Sequence, residues 1–185
     1  MKDLKALLII DMQIGSFISE TPRYNSEKVI ANYHLLGVEF RSERMPIVFI
    51  QHDGKGNAKF TKGSEAWDLL EDHIKVDEDF YLYKYANDAF YNTDLETKLK
   101  ELEVNTLYIA GYATDFCDKS TIQSAIGRDF NVVVISDAHT TADRPLLKAE
   151  YIVSHYNWVL KNRIPTNGPI SVISTHDLMQ NSFLA

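Results

Sequence analysis

The chain has 185 residues, 45% of them hydrophobic and 24% charged, with 8 glycines and 5 prolines. That balance excludes collagen-like and disordered classes and allows one sizeable core, so residues 1–185 are expected to form a single domain. A formal net charge of -7, with no long run of like charge, argues against nucleic acid as a partner, because a phosphate backbone requires a clustered basic surface.

Near the N-terminus the apolar stretch 6–10 is cut by Asp11, which is too short for a membrane span or a signal segment. A cytoplasmic protein with no membrane partner is expected. Cys117 is the only cysteine, which excludes an intrachain disulfide and a multi-cysteine zinc site.

Short apolar runs alternate with stretches of helical period, the pattern of βαβ units. Residues 6–10 (ALLII) read as a first buried strand. The segment 26–44 then sets Val29, Ile30, Tyr33, Leu36 and Phe40 at helical spacing, with Ser26 as its cap. Residues 47–51 (IVFIQ) form the second strand. The irregular piece 52–79, carrying Gly54, Gly56, Gly63 and Trp67, has the length of a binding loop or lid.

Residues 80–83 give a third strand and 93–102 a helix with Leu95, Leu99 and Leu102 on one face. Strands follow at 107–110 (LYIA), 132–135 (VVVI) and 170–173 (ISVI), with helices at 114–128 and 145–160, Pro145 standing in the first turn of the latter. None of these strands alternates cleanly, as expected where both faces are covered. The expected fold is α/β: an open, doubly wound, Rossmann-like sheet of six mainly parallel strands with helices on both faces.

Ligands of such sheets bind at the carboxyl ends of the strands, near the point where strand order reverses. Asp11 follows the first strand and Lys84 the third, while the fourth leads through Gly111-Tyr112-Ala113-Thr114-Asp115-Phe116 into Cys117 near the start of a helix. A carboxylate, an ammonium and a thiol on one rim would supply a base, a charge-stabilising cation and a nucleophile. The thiol's ordinary pKa of about 8.5 would be lowered by the helix N-terminus or the cation.

Other polar groups read as structural. His52-Asp53 lacks the three or four convergent ligands of a metal site, so neither metal nor cofactor is expected. Gly54-Lys55-Gly56 lacks the further glycine and the GK[ST] ending of a phosphate loop. His139 reads as an ordinary hydrogen-bonded histidine, and Asn157 and Trp158 as packing or subunit contacts.

The segments IIDMQ, the lysine of YKYANDAFYNTDL, GYATDFC, VVVISDAHTT and HYNWVL, in order from about Leu8 to Leu160, resemble the isochorismatase-like cysteine hydrolases, which include nicotinamidases and N-carbamoylsarcosine amidases. The resemblance implies a triad of Asp11, Lys84 and Cys117. In it Asp11 takes the thiol proton and returns it to the leaving amine, and Lys84 holds carboxylate and thiolate in place. Cys117 attacks a carbonyl carbon and leaves a thioester for water to hydrolyse. The resemblance further implies a cis Tyr112-Ala113 peptide, an oxyanion hole built from the backbone N–H groups of Ala113 and Cys117, and a pocket lined by Phe17, Trp67, Phe90 and Tyr112.

The chain departs from the family's pattern in two places. Asp118 stands where the family usually has an apolar residue; it either faces the thiol and raises its pKa, or favours the helix dipole and points to solvent. The nicotinamidase branch's Asp-x-His pair with a further His is replaced by His52-Asp53-Gly54, with His73 much further on, which speaks against nicotinamidase activity. The expected function is cleavage of a carbon–nitrogen bond in a small amide or carbamoyl compound through a cysteine thioester, by a protein that forms homo-oligomers as family members commonly do. Two alternatives stay open. One is an isochorismatase-type vinyl-ether hydrolase, where proton transfer from Asp11 matters more than a thioester. The other is a catalytically silent member that binds a small ligand or partner, for which Asp118 is the warning sign.

Overall fold

The computed structural model describes residues 4–18, 21–56, 60–70 and 76–180; His73 lies outside them. Strands β1 (Lys5–Ile10), β2 (Ile47–His52), β3 (Phe80–Lys84), β4 (Thr106–Tyr112), β5 (Asn131–Thr140) and β6 (Ile170–Ile173) make one sheet in the order β3-β2-β1-β4-β5-β6. Every neighbouring pair is parallel. The chain steps outward from β1 to β3, then returns to place β4 on the free side of β1. Order therefore reverses between β1 and β4, and a crevice opens beyond their carboxyl ends.

Successive side chains of a strand point to opposite faces, and here both faces are buried, which explains the unbroken apolar runs. Ala6, Leu8 and Ile10, with Val48 and Ile50, pack against Leu95 and Leu99 of α3 (Leu95–Glu101), Ile122 and Ala125 of α4 (Lys119–Ile126) and Leu160 of α5 (Ala149–Lys161). Leu7 and Ile9, with Ile47 and Phe49, pack against Val29, Tyr33, Leu36 and Phe40 of α2 (Ser26–Ser42) and Leu178 of α6 (Thr175–Gln180). A short helix, α1 (Ile14–Phe17), follows β1. No helix among the described residues is long and apolar enough to cross a membrane.

Several element boundaries differ from the sequence expectation. Ser26 begins α2 instead of capping it; Asn25 holds the cap position in a left-handed conformation. Pro145 lies ahead of α5, whose first N–H is taken by Asp143, with Ala149 N donating to Asp143 Oδ1 at 2.9 Å. The expected helix 114–128 divides into a π-helical turn, Thr114–Asp118, and the regular helix α4. Strand β5 runs on through the polar stretch 136–140, rejoining β4 past an irregularity so that Gly111 pairs with His139. Gly111 has no alternative at this crossing. Its φ is +145°, and a Cβ there would stand 2.2 Å from the carbonyl oxygen of Ile10.

Candidate active site

The three strand ends bring Asp11, Lys84 and Cys117 together. Lys84 is the last residue of β3 and is completely buried. Its ammonium donates to Asp11 Oδ2 at 2.7 Å, to the Ala86 carbonyl at 3.1 Å and to Cys117 Sγ at 3.3 Å. Three donors thus meet three acceptors, the condition under which a lysine tolerates burial. Asp11 is itself 3% exposed and sits at φ +50°, a left-handed conformation that aspartate adopts more readily than most residues. Its N–H donates to the Ile50 carbonyl at 2.8 Å, which locks the turn against β2.

The electrostatics of the trio differ from the sequence expectation. Burial alone draws the Lys84 pKa down, but the Asp11 carboxylate foremost, with Cys117 adding to it, outweighs that and the net shift is upward. At Cys117, burial and then the Asp11 carboxylate push the thiol's pKa up, and Lys84 offsets only part of that rise. The expected lowering of the thiol is therefore corrected: the shift at Cys117 is upward. The reason is burial first, which disfavours the charged thiolate, and then the neighbouring Asp11 charge.

A cleft of about 260 Å³ opens above this floor. Tyr112 and Ala113 contribute to its wall, and the peptide between them is cis. Ser16, His52, Phe60, Asn87, Phe116 and Arg144 complete it. The Asn87 amide oxygen lies 3.6 Å from Cys117 Sγ. Arg144 is held by Asp115 in a two-pronged contact, Nε to Oδ2 at 2.7 Å and the terminal nitrogen to Oδ1 at 2.9 Å, with its guanidinium 4.7 Å over the Phe116 ring.

Three of the four expected pocket aromatics do not line this cleft. Trp67 is 7% exposed and its indole packs 5.3 Å from the Tyr83 ring, because its carbonyl is tied down by Gln13 and Gln51. Phe90 turns into the core beside Phe130 at 5.9 Å, since the Ala89 N–H is anchored on Thr121 of α4. Phe17 stands behind the wall, 5.8 Å from the Tyr112 ring that it supports. Tyr112 alone of the four forms part of the cleft surface, and Phe60 and His52 take the places expected of the others.

Asp118 neither faces solvent nor lines the cleft. It is 2% exposed, and neither carboxyl oxygen has a hydrogen-bond partner. It borders a narrow void of about 10 Å³ on the far side of the π-helical turn, among Ile109, Ile122, Val134 and Leu160. Next to it, His139 is buried on β5, with Nδ1 2.8 Å from the Thr114 hydroxyl and Nε2 2.9 Å from Asn157 Oδ1. Asn157 spends its NH₂ on the Ser136 carbonyl at 2.9 Å, so its oxygen accepts from Nε2–H and the Thr114 hydroxyl donates to Nδ1. His139 and Asn157 are thus structural, whereas Trp158 is 65% exposed on α5.

Gln13, Asn87, Asp115 and Arg144 escaped the sequence reading. Asp115 is part of the GYATDFC segment, yet its pairing with Arg144 spans two loops that no local spacing connects. Gln13 is fully buried and donates to both the His52 and Trp67 carbonyls; a polar residue near a strand end carries no signal that it will bridge distant backbone. Among the described residues, no three His, Cys, Asp or Glu side chains gather as metal ligands.

Comparison with known proteins places this geometry in context. A family model described as the isochorismatase domain matches residues 5–153. YaaI of Bacillus subtilis strain 168, an uncharacterized isochorismatase family protein, is 32% identical over 143 residues, covering 72% of this chain and 78% of the relative. Streptothricin hydrolase of Streptomyces noursei is 27% identical over 148 residues, 78% of this chain and 57% of its own. Among solved structures, the crystal structure of an isochorismatase family protein superposes with a TM-score of 0.81 at 31% identity, covering 86% of this chain and 94% of that one.

Proposed function

The chain belongs to the isochorismatase family, and on that premise we propose that it hydrolyses a carbon–nitrogen bond of a small amide or carbamoyl compound through a thioester on Cys117. The observation that supports this reading is the Lys84 ammonium, which touches both the Asp11 carboxylate and the Cys117 sulfur at the floor of an open cleft.

The reaction starts from the neutral thiol. As Sγ bonds to the substrate's carbonyl carbon, its proton passes to Asp11, so no free thiolate has to accumulate beforehand. Lys84 balances the charge that moves between sulfur and carboxylate. The tetrahedral oxygen is assigned to the backbone N–H groups of Ala113 and Cys117, where the π-helical turn follows the cis peptide. Asp11 then returns the proton to the leaving nitrogen as the carbon–nitrogen bond breaks, and water hydrolyses the thioester.

The test is an ammonia-release screen over small amides, carbamoyl compounds and lactams, run on wild type and Cys117→Ala. Activity should disappear in the variant while its fold persists; turnover that survives refutes covalent catalysis. The raised thiol favours a second reading, vinyl-ether hydrolysis in which Asp11 delivers a proton and no thioester forms. Asp11→Asn should then lose more activity on isochorismate than Cys117→Ala, and the reverse ranking would count against it.

A further inference from the structure

We propose that His52 is the general base of the second half-reaction, deprotonating the water that attacks the Cys117 thioester; the assignment rests on the thioester reading above. His52 ends β2 in parallel register with Lys84, the end of β3. Both share the strand parity of Ile50 and Leu82, whose side chains pack on one face of the sheet. Adjacent strands run about 4.8 Å apart, so register and parity set the imidazole beside the ammonium that holds Asp11 and Cys117. The same side chain forms part of the cleft wall together with those two residues.

The position of His52 is enforced. Its N–H donates to Gln13 Oε1 at 2.9 Å and its carbonyl accepts from Gln13 Nε2 at 3.1 Å, while the same Nε2 reaches the Trp67 carbonyl at 2.7 Å. One fully buried glutamine thus clamps the His52 backbone on both sides. The ring stands edge-on to Phe60 at 6.1 Å, and its Nδ1 is buried with no hydrogen-bond partner.

The charged groups facing it are Lys84 from β3, Asp11 from the end of β1 and Asp53 next in the chain. Burial first, and then Lys84, hold its pKa below the ordinary histidine value, with Asp11 and Asp53 opposing. The imidazole is therefore neutral at neutral pH and able to take a proton. It is by nature a stronger base than a carboxylate. Asp11 is nearly buried with one oxygen bound to Lys84, whereas His52 is only half-buried in the cleft wall.

In the step itself, the water oxygen bonds to the thioester carbon while His52 takes one water proton. The tetrahedral intermediate then breaks its carbon–sulfur bond and the carboxylic acid leaves. The imidazolium proton returns to the departing sulfur, so His52 and Cys117 both end neutral.

The full-length protein can be tested with p-nitrophenyl acetate as the acylating probe. Wild type should release p-nitrophenolate steadily. His52→Gln and His52→Ala should give a burst of one enzyme equivalent and then stall, with an acetyl group on Cys117 by intact mass and deacetylation slowed about 10²- to 10⁴-fold. Added imidazole should restore deacetylation in His52→Ala more than in His52→Gln, which fills the space. Deacetylation at the wild-type rate in both variants overturns the proposal, as does loss of the burst itself, which would place His52 in the first half-reaction or in the fold. No acetyl-Cys117 in any protein, wild type included, instead removes the thioester reading on which the proposal rests.

Discussion

Replacing Asp118 with asparagine should stabilise the protein at neutral pH and leave it unchanged in acid. The carboxyl is 2% exposed with both oxygens unpartnered, and burial, then the charge of Asp11, raises its pKa well above the ordinary aspartate value, with Lys84 opposing. A raised folded pKa gives stability that is fully present below the unfolded value, about 3.9, and is lost as pH climbs from there to the folded value. Between the two, the unfolded chain sheds a proton that the folded chain keeps, and stability falls by up to about 1.4 kcal/mol per pH unit.

Asparagine keeps the shape and removes the titration. For a protein of this size 1 kcal/mol moves Tm by about 2–4 °C, so the variant should gain roughly 3–6 °C over wild type for each pH unit in that window. Asp118→Val also removes the two orphaned oxygens, which should contribute about 1–3 kcal/mol more. Scanning calorimetry from about pH 4 to about pH 7 reads the difference. A variant-minus-wild-type gap that stays constant across that range would show that the carboxyl ionises as easily folded as unfolded, and would refute the reasoning.

Four further outcomes are expected. Lys84→Met should lower stability by about 3–5 kcal/mol by stranding the buried Asp11 charge, and adding Asp11→Asn should recover much of it; denaturant midpoints that show no recovery would refute the pairing. Asp11→Asn should speed iodoacetamide alkylation of Cys117 near neutral pH, because it removes a charge that raises the thiol pKa while Lys84 stays; a slower reaction would contradict this. Buried His139 has a lowered pKa, chiefly from desolvation. The unfolded chain therefore binds the extra proton first, stability drops as pH falls below about 6.5, and His139→Gln should flatten that part of the curve in urea titrations. Burial alone would raise the Asp115 pKa, but Arg144 and Thr141 hold it below the ordinary value; Arg144→Lys should move its carboxyl titration upward by NMR, and an unmoved titration would disprove the fork.

The sheet was legible because its strands are buried on both faces, which writes them as apolar runs such as ALLII and VVVI that no local rule can mistake for loops. The cluster of Asp11, Lys84 and Cys117 was legible for a related reason: each stands at or after the end of a parallel strand, and parallel strands deliver their carboxyl ends to one edge. The ends of helices were less so. Pro145 and Ser26 satisfy first-turn and cap preferences, yet α5 starts only at Ala149, its first N–H held by Asp143, and Asn25 holds the cap of α2, because several residues near each terminus meet the same weak local preference and packing chooses among them.

The amino-acid sequence by itself determined the α/β class, the six strands and the three residues that meet at the cleft floor, since these depend on hydrophobic period and chain order. Tertiary structure alone decided which aromatics face the cleft, that Asp118 is buried without a partner, and that the Cys117 thiol's pKa is shifted up instead of down. Those properties depend on distances between residues far apart in the chain and on the dielectric around them. Trp67 and Phe90 turn away because Gln13 and Gln51 hold the Trp67 carbonyl and Thr121 holds the adjacent Ala89 N–H, and the thiol is raised because it is buried beside the Asp11 charge.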